Sequence, residues 1–251
     1  MAFAVLVIGV LGALVGSFLN VVIHRLPRRE SLAFPGSRCP SCGVAIAPYD
    51  NVPIVSWLIL RGRCRNCGQP VSVRYPLVEL LTAVVFALVA ATRGLDADLL
   101  LELPFAAVLI AVAGIDLEHH IVPNRIVVPA AVFALLLAAL LRRGDLLELV
   151  LAGAGAFLFL LIAALAYPAG MGMGDVKLAG VMGLFLGLSI IPALFLAFVL
   201  GSVVGVGMIV AQGPSARKKG VPFAPFLAAG GIIGILVGPE LIGFYADTFL
   251  S

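Results

Sequence analysis

Residues 170–180 read GMGMGDVKLAG, three glycines at alternate positions leading into an aspartate, within a chain whose flanks are almost unbroken apolar sequence. An ionised carboxylate at bilayer depth costs about 2.5–3.5 kcal/mol or more unless it is paired or faces a polar cavity. Asp175 therefore marks either a helix end or a site, and the remaining sequence has to decide between them.

Of the 251 residues, 62% are hydrophobic and 12% are charged. Soluble domains are about 25% charged, so this composition is that of an integral membrane protein. A net charge of +3 is too small an excess to make a nucleic-acid-binding surface. The first twenty-odd residues, MAFAVLVIGVLGALVGSFLNVVIHR, are apolar, with Arg25, Arg28 and Arg29 following rather than preceding them. A secretory leader has the opposite charge order, so this stretch reads as a retained span.

Hydropathy gives eight candidate spans, at about 3–23, 76–92, 99–117, 126–141, 147–167, 176–188, 191–211 and 224–245. The sixth is short, as expected for a span that is tilted or partly buried in the bundle. No internal repeat stands out. Eight arginines lie in 24–75, at Arg25, Arg28, Arg29, Arg38, Arg61, Arg63, Arg65 and Arg74. The positive-inside rule places that segment in the cytoplasm and the N-terminus outside. Alternate loops then put Arg125, Lys177, Arg217, Lys218 and Lys219 on the same side and leave only Arg93, Arg142 and Arg143 opposite. Thirteen against three is a bias independent of hydropathy. The glycine pairs 12/16, 183/187, 201/205 and 234/238 have the spacing that lets membrane helices approach closely.

The expected fold is an all-α polytopic membrane protein of about eight transmembrane helices with a small cytoplasmic zinc-binding subdomain. Residues 1–23 form the first span, 24–75 the polar subdomain and 76–251 the main transmembrane core. Segment 24–75 contains CPSC, with Cys39 and Cys42, and CRNC, with Cys64 and Cys67, separated by 21 residues and each followed by glycine. Two such pairs fit one structural zinc ion held by four thiolates, which helps a fold of that size stand without a large core. The alternative is a pair of disulfides, which a reducing cytoplasm disfavours. A thioredoxin-like role lacks the βαβ pattern it needs.

Asp116 ends the inward-running third span and Asp175 begins the outward-running sixth, so the two acids meet one depth near the cytoplasmic face although 59 residues separate them. Paired carboxylates that share a proton can activate water with one group and polarise a carbonyl with the other. The glycines at 170, 172 and 174 disfavour helix up to Asp175 and let backbone approach a substrate. The competing reading is that Asp175 caps its helix and Asp116 meets headgroups. Lys177, two residues from Asp175, points elsewhere on a helix and is expected to snorkel to the interface. Helix-end dipoles, together with the apolar run that precedes Asp116, place the charge on Asp175 and the shared proton on Asp116. Metal-hydrolase motifs fail: there is no HExxH, and an HxxEH ending at His119 would need histidine at 115, which is isoleucine. No GxSxG is present.

At these residues the chain resembles the type IV prepilin peptidase family, the bifunctional leader peptidase/N-methyltransferases. GSFLNVVIHRLPR (16–28) is similar to the family's opening motif, and residues 39–79 to its cysteine domain. DLEHHIVPN (116–124), GMGD (172–175) and KKGVPFAPFLAAGG (218–231) resemble its aspartate, GxGD and late-loop motifs. The resemblance implies that Asp116 and Asp175 are the catalytic pair, with Gly172, Gly174 and Lys177 around the substrate. It implies cleavage of prepilin or pseudopilin leaders after glycine on the cytoplasmic side of the bacterial inner membrane, in type IV pilus or type II secretion systems. It also implies methylation of the new N-terminus from S-adenosylmethionine, although no nucleotide fingerprint marks a site for that donor. The partners it implies are prepilins, pseudopilins and the bilayer, with no nucleic acid. A peptidase-only member of the same clan, a proton-coupled transporter and a zinc-containing scaffold are the competing expectations.

Overall fold

The computed structural model describes residues 1–167, 170–213 and 221–249. Among these the chain is helical, with no strand beyond two isolated bridges. Its helices are α1 (Ala2–Arg25), α2 (Val55–Ile59), α3 (Arg74–Arg93), α4 (Leu99–His119), α5 (Asn124–Leu141), α6 (Leu146–Ala166), α7 (Met173–Leu186), α8 (Ile190–Gln212) and α9 (Ala224–Phe249). They fall into two compact units, Met1–Gly94 and Leu95–Ser251. The sequence division at 23 and 75 follows polarity. The compact units follow packing, and α3 belongs with α1.

In the first unit, α1 and α3 meet where side chains are smallest. A Cβ on Gly16 would stand 2.7 Å from the Glu79 Cα, and one on Gly12 would stand 2.8 Å from the Thr82 carbonyl oxygen. That is the close backbone approach expected of small-xxx-small spacing. Glu79 is buried and accepts the Ile54 backbone N–H at 2.7 Å, which ties the polar segment to α3.

In the second unit, seven-span hydropathy hides a reversal. Among the described residues of both units seven helical stretches are long and apolar enough to cross a membrane, and one of them, Met173–Gln212, runs 40 residues. It does not cross as one rod. Gly231, Gly234 and Gly238 of α9 meet Met182, Leu186 and Ser189 in that order, so α7 and α9 run together. Beyond Ser189 the order inverts: Ala193 lies against Gly230 and Gly234, and Gly201 lies against Phe223 and Phe226. The stretch therefore turns back at the 3₁₀ turn Gly187–Ser189, giving the eight legs expected from sequence. Gly187 takes φ +56°, a left-handed value that favours glycine. Its sequence reading as a helix-packing glycine is corrected to a turn residue. A Cβ on Gly205 would meet open space, so the packing reading fails there as well. Gly183 does pack, its Cβ position lying 2.6 Å from the Ala152 carbonyl oxygen of α6. At 14 residues α7 is about 21 Å long, short of the roughly 30 Å hydrocarbon core.

The turn from α4 to α5 is dictated by IVPN. His120 takes a left-handed conformation (φ 53°, ψ 41°) and caps α4 through its N–H to the Asp116 carbonyl oxygen. Pro123 then confines Val122 to extended backbone and serves as the N-cap of α5. The chain reverses within a few residues of Asp116, which keeps this loop beside the acid.

Candidate active site and metal centre

The two CxxC segments build one centre from two copies of a single turn. Cys39 donates its N–H to the Val44 carbonyl oxygen while Gly43 donates to Cys39. Cys64 donates to Gln69 while Gly68 donates to Cys64. Bridges Arg38–Ala45 and Arg63–Pro70 close the two turns, and Gly43 and Gly68 share φ near +70°. RCPSCGVA (38–45) and RCRNCGQP (63–70) are thus a short structural repeat, which corrects the expectation of none. Its signal was the arginine before and the glycine after each CxxC.

The four sulfurs lie within 4.8 Å of one another, with Cys39 and Cys67 at 3.8 Å. A tetrahedron with metal–sulfur bonds of about 2.3 Å has edges of about 3.8 Å. All four cysteines are free thiols rather than disulfides. Backbone N–H groups of Cys42 and Ser41 hold the Cys39 thiol down to about 6. At Cys67 the Gln69 backbone N–H favours the thiolate, but burial and the other three sulfurs push it up to about 12. Four sulfurs this close do not ionise together without a cation between them, so the donor set fits a metal. The Trp57 indole donates to the Val71 carbonyl oxygen at 3.1 Å, and Arg65 forms a two-pronged pair with Asp50 at 2.7 Å. These contacts hold the intervening chain.

The carboxylate site lies wholly in the second unit. Asp116 is on the last turn of α4 and is 5% exposed. Asp175 is in the first turn of α7 and is 9% exposed. They are near enough to feel each other's charge. Neither bland reading survives. Gly172, not Asp175, is the N-cap of α7, and Asp116 is buried rather than turned to headgroups.

The loop reading of the glycines is partly corrected. Helix α7 starts at Met173, so Gly174 and Lys177 are helical, and only Gly172 is extended ahead of it. Gly174 is required for a close approach to the Val122 side chain: a Cβ there would lie 2.7 Å from the Val122 Cβ. The Asp116 motif and the GMGD motif are therefore pressed together. Lys177 donates to the Asn124 side-chain oxygen at 3.1 Å, joining the starts of α5 and α7. It does not pair with Asp175, as its position predicts.

One partner was missed. Asp116 Oδ2 accepts the Ala224 backbone N–H at 3.1 Å, across 108 residues of sequence. The donor accounting at the start of α9 explains it. Pro225 has no N–H, and Phe226 and Leu227 both bond to the Phe223 carbonyl oxygen. The Ala224 N–H is left free for the carboxylate. The VPFAP run within 218–231 carried this signal, since proline in a first turn marks a helix start. Asp116 thus faces the N-terminus of α9 as Asp175 sits at the N-terminus of α7. Helix ends therefore do not separate the two acids, since each carboxylate lies at the start of a helix, and the expected proton on Asp116 loses that support. Arg217, Lys218 and Lys219, used in the orientation argument, lie outside the described residues.

Residues 10–93 match the bacterial peptidase A24 N-terminal domain, and residues 103–206 match the type IV leader peptidase family. A prepilin leader peptidase/N-methyltransferase of Aeromonas hydrophila is 36% identical over 94% of this chain and 92% of that protein. One from Bacillus subtilis (strain 168) is 36% identical over 96% of this chain and 98% of its own. One from Myxococcus xanthus (strain DK1622) is 41% identical over 81% of this chain and 63% of its own. This chain belongs to the type IV leader peptidase family. No solved structure matches it.

Proposed function

We propose that the chain is a membrane aspartic endopeptidase that removes the leader from prepilins and pseudopilins after glycine and then N-methylates the new N-terminus. The observation that carries the peptidase reading is the convergence of two buried carboxylates, Asp116 and Asp175, at one end of the second unit. One carboxylate takes a proton from water as that water attacks the scissile carbonyl. The other, protonated, donates to the carbonyl oxygen. The Ala224 N–H fixes the rotamer of Asp116 and favours its charge when the proton moves. The tight contact of Gly174 with Val122 holds the two acids in register.

Methyl transfer is supported by the names of the relatives and by the cysteine unit that accompanies them. S-adenosylmethionine supplies the methyl group; no residue of this chain is assigned to it. Zinc is the metal that four thiolates in this arrangement suit, held by Cys39, Cys42, Cys64 and Cys67. It holds the fold of 24–75. The arginine distribution supports an inner-membrane orientation with the N-terminus outside and the cysteine unit in the cytoplasm.

Incubating the purified protein with a prepilin peptide, with and without S-adenosylmethionine, tests both activities. Cleavage in both mixtures, and methylated product only with the donor, is expected. Cleavage without methylation would leave a peptidase-only enzyme, and no cleavage would overturn the reading.

A further inference from the structure

A second feature of the second unit stands apart from the carboxylates. A cleft of about 410 Å³ opens between α4, α5 and α7, walled by Pro104, Val108, Pro129, Phe133 and Phe185. Phe185 is stacked on Phe105 at 4.4 Å, which gives the cleft a fixed back wall. The small side chain of Ala130 leaves the space open on the α5 side. Only one stripe of α5 is buried, at Val127, Ala130, Ala134 and Ala138, so its outer face meets the bilayer.

One charged group lines this otherwise apolar space. Arg125, the second residue of α5, stands at the bundle end that carries Asp116 and Asp175. It is exposed, and its guanidinium has no hydrogen-bond or ion-pair partner among the described residues. A guanidinium at a helix end reaches the headgroup layer, where phosphates are its complementary anions. Basic pockets between membrane helices bind anionic headgroups in this way.

The lining selects the occupant. Apolar walls along α4, α5 and α7 suit a hydrocarbon chain lying lengthwise, and Arg125 at the bundle end suits the phosphate that follows it. We propose that the α4–α5–α7 cleft binds one acyl chain of an anionic phospholipid whose phosphate is held by Arg125.

The test uses the full-length protein in detergent, with bound lipid counted by native mass spectrometry. The probes are phosphatidylglycerol, phosphatidylcholine with the same acyl chains, and free glycerol phosphate. One phosphatidylglycerol per chain should be retained about fivefold over phosphatidylcholine, and glycerol phosphate alone should not bind. Arg125→Gln should remove the preference. Ala130→Leu should fill the cleft and lower retention of both lipids, and Val108→Phe should do so from the α4 side if the first variant does not purify. Equal retention of the two lipids by the wild type, an undiminished preference in Arg125→Gln, or full retention in the filled variant would overturn the proposal. Displacement of the lipid one for one by an apolar prepilin helix would also overturn it, because the cleft would then be a substrate groove.

Discussion

The cysteine centre and the carboxylate site both bring together groups that repel one another when ionised, and they do so by opposite means. At the cysteine centre the four groups come from two eight-residue turns of one design, and each turn is complete in its own backbone bonds. A cation can offset their charge. At the carboxylate site each group sits at the end of a different helix, and one of its partners is a backbone N–H 108 residues away. There the offset comes from helix starts, to which the proposed mechanism adds a shared proton. The first arrangement is a local motif whose donor set fits a metal. The second exists only when α4, α5, α7 and α9 are packed.

The contrast is sharpest under removal of ligands. Structural zinc contributes about 10–16 kcal/mol of apparent binding energy in small zinc folds. Replacing Cys42 and Cys67 together by Ser should therefore release about one zinc per chain and loosen 24–75, as measured by metal analysis and limited proteolysis. Methylation should fall further than cleavage, because the carboxylates are in the other unit. Equal loss of the two activities would erase the distinction drawn between the regions.

Next in size is Gly174→Val. The added side chain must displace Val122 from a position 2.7 Å from its own Cβ. A shift of about 1 Å at a reacting pair costs up to 100-fold in turnover, so kcat should fall by about that factor while zinc content is unchanged. Ala224→Pro should follow. Proline is tolerated at a helix start but removes the N–H that Asp116 accepts. A hydrogen bond to a charged group is worth about 1.5–3 kcal/mol, or about 10–100-fold in turnover. The loss should appear in kcat rather than KM. Lys177→Ala should matter least, within about fivefold, because its bond to Asn124 is exposed.

How much was legible in sequence follows the same division. The four cysteines are three residues apart within each pair, and spacing alone picked out the cluster that the fold forms. The eight legs were visible too, including the short α7, through hydropathy and the alternation of basic loops, but the turn at Gly187 was not, because a positive φ leaves no mark that separates it from a packing glycine. The pairing of Asp116 with Asp175 was legible only through depth and orientation. Ala224 was not, since a backbone donor leaves no mark in residue identity beyond the proline beside it. The start of α7 was misplaced for a related reason. Glycine propensity argues against helix through Gly174, but the packing of Val122 against that position outweighs about 1 kcal/mol of propensity.

The central claim is that Asp116 and Asp175 act as one catalytic pair. Asn keeps the size and much of the hydrogen bonding of Asp but cannot accept and return the proton. Asp116→Asn and Asp175→Asn should each be compared with wild type for prepilin cleavage, with zinc content and thermal unfolding measured on the same samples. The account predicts folded, zinc-loaded proteins in which either substitution alone lowers cleavage by about 1,000-fold or more, and the double variant is no worse than the singles. A single variant that is folded and cleaves within tenfold of wild type would contradict it.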